Sequence, residues 1–145
     1  MRAIGLCTAL LIISTPALAA WNVTHFTDRM TDKSVAVATV SAPPGTLRVT
    51  CSGPDIIFDS PIAFGHIGMN YRFDTDEMVP RIVPMASDGR TAWVWLSSAL
   101  ETRQRIARAK RLRVEIFPVG LPRVFMDFDL TGANEAIKAL GCQGH

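Results

Sequence analysis

Few residues in this chain have the type and spacing to do chemistry. There are three histidines, His25, His66 and His145. His145 is the last residue, which leaves His25 and His66 as the bases a small hydrolase would use. A Ser-His-Asp arrangement assembles across a fold and leaves no fixed spacing. The stretches that do leave one, G-x-S-x-G, S-x-x-K and H-E-x-x-H, are absent from the sequence. The acidic run Asp74-Thr75-Asp76-Glu77 would suit a hard cation, but it lacks the continuation and the glycine of a calcium loop. A solvated turn is the better reading, and the expectation is a protein with no metal, no cofactor and no catalytic residues.

Recognition chemistry is better represented. From residue 103 to 113 the chain carries Arg103, Arg105, Arg108, Lys110, Arg111 and Arg113, with Glu101 the nearby acid. Arg105, Arg108 and Arg111 follow at i, i+3 and i+6 and would share a helix face. They would meet anionic lipid headgroups or an acidic partner; a solvated face is the plain alternative. Arg72 and Asp74 should project from one side of one strand, as a structural pair or a polar binding spot. Tyr71, with Trp93 and Trp95, would offer a stacking surface for carbohydrate, against the default of tryptophans buried in a core.

The elements that must position these groups follow from periodicity. Ser34–Ser41, Thr46–Cys51, Met69–Asp74, Leu112–Phe117 and Val124–Leu130 alternate apolar and polar residues and read as strands. Trp21–Phe26, Asp55–Phe58 and Thr91–Leu96 are shorter strand candidates. Pro43-Pro44-Gly45 closes a hairpin, and residues 60–68 read as irregular. Met78–Met85 contains Pro80 and Pro84, so it belongs at a sheet edge or is broken. A helix should start at Ser97 or Ser98 and run to Lys110 on a stripe of Ala99, Leu100, Ile106 and Ala107. A second, capped by Thr131, should run from Gly132 to Leu140 and bury Ala133, Ala136, Ile137 and Leu140. The fold class is therefore α+β: a mainly antiparallel sheet or sandwich with two helices in the C-terminal half.

The first residues specify a compartment. Met1-Arg2, an apolar run from Ala3 to Ile13 and the small residues Ala17 to Ala20 have the form of a signal peptide. Cleavage is expected after Ala19, with Ala20 as the alternative, which gives residues 1–19 as leader and 20–145 as a single β-rich domain. The apolar run is shorter than the roughly 20 residues a bilayer demands, so no transmembrane segment is expected after cleavage. The whole chain has a net charge of +2, and losing Arg2 reduces it by one. That balance gives no field for nucleic acid. Of the three cysteines, Cys7 leaves with the leader. Cys51 and Cys142 then remain, and in an oxidising compartment they should form one disulfide.

The order of features resembles a known family. Trp21 near the expected mature start, Asp28 to Asp32 as Asp-x-x-Thr-Asp, Leu47 to Cys51 as Leu-x-Val-x-Cys, Arg72-Phe73-Asp74, and Phe128 to Cys142 with an Ala-Ile-x-x-Leu helix occur in sequence. This resembles the periplasmic accessory proteins of type VI secretion, the VasI/TagO-like family, and related small secreted proteins. The resemblance implies a periplasmic or secreted, non-enzymatic accessory protein whose partner is an envelope protein or a cell-wall component. An inhibitor that inserts residues 60–70 into an envelope hydrolase is the alternative, with a small hydrolase behind it.

Overall fold

The computed structural model describes residues 21–60, 66–93 and 98–142. The leader, Cys7, Trp95, Ser97 and His145 lie outside the described residues. Nine strands form two antiparallel sheets. The first takes β1 (Asn22–Thr27), β2 (Ser34–Ala42), β3 (Gly45–Thr50), β4 (Gly53–Phe58) and β7 (Thr91–Trp93), in the spatial order β1-β2-β3-β4-β7. The second takes β5 (His66–Phe73), β6 (Val79–Pro84), β8 (Arg111–Phe117) and β9 (Val124–Asp129), in the order β6-β5-β8-β9.

Period-two alternation sends one set of side chains inward from each sheet. Ala36, Ala38, Val40, Leu47, Val49, Ile56 and Phe58 come from the first; Ile67, Met69, Tyr71, Phe73, Leu112, Val114, Ile116, Met126 and Phe128 from the second. Together they form one buried cluster. The inner face of β2 is small because its sequence is SVAVATVSA, and β9 packs against that strand. At the start of β3, Gly45 lies so close to β9 that a Cβ there would stand 2.5 Å from Met126 Sδ.

Pro80 and Pro84 fall in β6, which is an edge strand, the place in a sheet where residues without an N–H are tolerated. Strand β5 begins at His66, within the stretch expected to be irregular. Its early residues pair with β6 from His66↔Pro84 onward, a long-range pairing that overrides the local glycine signal. The turn before β7 is held by Asp88, whose carboxylate accepts from the backbone N–H of Arg90 and Thr91 and from the Thr91 hydroxyl.

Helix α1 spans Ala99–Arg108 and α2 spans Ala133–Lys138. Ser98 caps α1 by accepting from the Glu101 N–H at 3.1 Å. The helix ends before the expected Lys110 because Ala109 is already extended and β8 starts at Arg111. Of the expected apolar stripe Ile106 is buried, Ala107 is partly buried and Leu100 is 40% exposed; Thr102 and Arg103 take the other buried positions. Contact with both β4 and α2 sets that rotation. Helix α2 buries Ala133, Ala136 and Ile137 as expected. Its cap is Gly132 at φ 87°, a left-handed conformation glycine adopts without cost. Thr131 does not cap; its N–H is taken by the Asp129 carboxylate at 2.9 Å.

Cys51 and Cys142 are disulfide-bonded, with Cα atoms 5.3 Å apart across a sequence separation of 91. The bridge ties the chain just after α2 to the β3–β4 turn.

Candidate binding face

The polar side of the second sheet gathers the charged residues. Register decides which stand together. Arg72 on β5 is directly opposite Arg113 on β8, and Arg113 is opposite Asp127 on β9. One row along, Asn70, Glu115 and Phe125 are aligned in the same way; at the other side, Arg111 faces Asp129. Residues opposed across a ladder share a face, with Cβ atoms roughly 5 Å apart.

Asp127 is the shared counter-ion. Its carboxylate lies 3.1 Å from Arg111 Nε and 3.5 Å from Arg113 Nε. The Asp129 carboxylate is occupied by Thr131, and the hydrogen bond from the Thr131 N–H holds it below the usual carboxylate range. Glu115 accepts from Arg123 at 3.2 Å and from the Asn70 amide at 3.5 Å. Among the described residues Arg72 has no ion pair, although it stands beside a second guanidinium. A cavity of about 270 Å³ opens here, walled by Asn70, Arg72, Arg113, Glu115, Met78 and Phe125. Met78 is 57% exposed and Phe125 58%. An adjoining cavity of about 400 Å³ shares Arg113 and adds Arg111 and Lys110.

The residues singled out from sequence divide between several places. Arg111 is on β8, so it does not share a helix face with Arg105 and Arg108: α1 has ended and the strand has begun. Arg105 is already engaged by partners of its own chain at the surface. It pairs with Asp76 and its guanidinium lies 5.3 Å from the centre of the Phe73 ring. Arg108 lies on α1 in the wall of a different groove, against α2. Asp74 does not project beside Arg72. It lies past the end of β5 at φ 46°, and its carboxylate accepts from the N–H groups of Lys110 and Arg111 at 2.9 Å each. That carboxylate orders the start of β8.

Tyr71 adjoins the first cavity, but its residue is only 2% exposed and its ring meets Phe73 edge-on at 6.2 Å. Burial pushes its phenol upward. Trp93 is 37% exposed on β7, opposite Asp55 of β4 in the first sheet, so it departs from the core default and forms no common surface with Tyr71, which belongs to the second sheet. His25 is exposed on the edge strand β1, and the His66 side chain lies outside the described residues. Among the described residues no three His, Cys, Asp or Glu side chains converge on a metal position, and no helix is long and apolar enough to cross a membrane.

Sequence reasoning missed Glu115, Phe125, Met78 and the pairing of Arg113 with Arg72. Alternation in LRVEIF already turned Arg113 and Glu115 away from the core. What it lacked was the register that sets β5 against β8.

No protein-family model, no curated protein and no solved structure matches the chain.

Proposed function

We propose that this chain is a non-catalytic accessory protein of the cell envelope, periplasmic or secreted, which holds an acidic segment of a partner protein on the polar face of the second sheet. The observation that carries the reading is the Arg72–Arg113 pair: two arginines directly opposed across the ladder, one of them without a carboxylate among the described residues. Like charges in that position destabilise a sheet. An incoming carboxylate removes the repulsion and takes the paired hydrogen bonds a guanidinium offers. Phe125 and Met78 beside them supply the apolar contact that a protein side chain buries. The leader-like first residues and the disulfide support an extracytoplasmic compartment. The motif order that resembles the type VI secretion accessory proteins supports the accessory role.

The test is affinity capture from detergent-solubilised envelope, with wild type beside an Arg72→Glu, Arg113→Glu variant. Wild type should retain one partner protein that the variant loses. Equal capture by both, or none by wild type, overturns the reading. A captured hydrolase whose activity falls on binding replaces the accessory role with inhibition.

A further inference from the structure

A second charged feature lies between the two helices. The groove between α1 and α2 has a volume of about 240 Å³. Its walls carry three cations, Arg103, Arg108 and Lys138, and apolar surface from Leu100, Ala107 and Ile137. Neither Glu101 nor Glu135, the acids of these helices, is in its wall.

Arg103 is the unusual member. It is 5% exposed, so its charge is removed from water. Its Nη1 donates to the Cys51 carbonyl, but its Nε is buried without a hydrogen-bond partner, and no carboxylate pairs with it among the described residues. A buried charge is ordinarily paired, because an uncompensated one is costly. Arg108 and Lys138 each lie in the last turn of their helix, where the helix dipole favours a cation. That accounts for those two and leaves Arg103 unexplained. An anion seated in the groove supplies the missing counter-charge to Arg103, with Arg108 and Lys138 beside it.

We propose that this groove is an anion site which takes the phosphodiester headgroup of an anionic lipid. Three cations suit the several oxygens of a phosphate better than a single carboxylate. Leu100, which α1 leaves 40% exposed, and Ala107 offer apolar surface next to the charge for the carbon skeleton attached to the headgroup. This site is separate from the Arg72–Arg113 face and does not depend on the partner proposed for it.

The test is co-sedimentation of the protein with phosphatidylglycerol vesicles and with phosphatidylcholine vesicles. Inorganic phosphate is titrated separately while backbone amide resonances are followed by NMR. Removing Arg103 would risk the fold, so the variant is Arg108→Glu with Lys138→Glu. The control is Arg29→Glu with Lys33→Glu, which changes net charge equally in the exposed β1–β2 turn. Wild type and control should bind phosphatidylglycerol and not phosphatidylcholine, and the groove variant should lose about tenfold or more in affinity. Equal loss in the control means a general charge effect and overturns the site. Binding that the groove variant keeps, or phosphate binding in the groove with no vesicle binding, overturns the lipid assignment.

Discussion

Arg103 donates through Nη1 to the carbonyl of Cys51, the residue whose sulfur is bonded to Cys142. One side chain of α1 therefore meets the turn that the disulfide ties to the end of α2. The two helices and the first sheet are joined at this point by a covalent bond and a charge-assisted hydrogen bond.

The disulfide should contribute strongly to stability. The chain-entropy model assigns a loop of this length roughly 4–5 kcal/mol. Cys51→Ser with Cys142→Ser should lower the urea midpoint and steepen the slope, because the unfolded chain freed of the bond exposes more surface. Thiol titration of denatured, unreduced protein beginning at Ala20 should find no free thiol; about two per chain would remove the bond.

Arg48 and Asp55 form a two-point pair between β3 and β4, at 2.8 Å for Nε to Oδ1, with Asp55 only 6% exposed. The hydrogen bond to Asp55 raises the Arg48 guanidinium further above its already high range. Arg48→Ala strands a buried carboxylate and should cost about 1–3 kcal/mol. Replacing both residues by apolar ones should recover part of that loss. Chemical denaturation of the single and double variants decides it; equal stability of Arg48→Ala and wild type would refute the pair's role.

Gly45→Ala should destabilise by about 1–3 kcal/mol, because the new methyl meets Met126 Sδ and also stands 3.3 Å from the Ile57 carbonyl. Met126 belongs to the buried cluster and has little room to withdraw. In a double-mutant cycle, Met126→Ala should relieve part of the strain. Additive effects would show that the two residues are independent.

Arg72→Glu should leave stability unchanged or raise it by about 0.2–1 kcal/mol, since it replaces a like-charge opposition with an attractive one. Arg105→Ala should lower it by about 0.5–1 kcal/mol, through loss of its contacts with Asp76 and Phe73. Thermal midpoints measured together test the contrast. A fall for Arg72→Glu would mean that this arginine serves the fold.

Acid should weaken the fold through Asp129 and Asp88. Hydrogen bonds from the N–H of Thr131 and of Arg90, respectively, are the main reason both lie below the ordinary carboxylate value. A depressed folded value means the stabilisation is complete above the unfolded value of about 3.9, and disappears as pH falls through the folded one. Carboxyl carbon shifts should place both midpoints below 3.9. Asp129→Asn should flatten the stability profile on its acid side; a profile parallel to wild type would contradict the assignment.

Much of this architecture was legible from local pattern. Alternation in SVAVATVSA, LRVEIF and VFMDFDL identified strands and their inward faces, because a strand turns its side chains with a period of two wherever it lies. The two prolines of β6 announced an edge by the hydrogen bonds they cannot make. Counting cysteines once Cys7 is assigned to the leader left one possible pairing.

What local pattern could not supply was relative placement. Arg72 meets Arg113, and Asp127 holds Arg111, only because β5, β8 and β9 pair in one register. Arg111 left the expected helix face because its backbone pairs with Asp129 on β9, and a spacing of three continues to look helical until a partner strand claims the residue. Helix α1 buries Arg103 and exposes Leu100 because β4, α2 and the Cys51 carbonyl set its rotation. Periodicity is a property of a segment, so the sequence by itself determined the elements and most of their buried faces. Register and helix rotation arise from contacts between segments distant in the chain, and only the tertiary structure decided which charges stand together and which are left without a counter-ion.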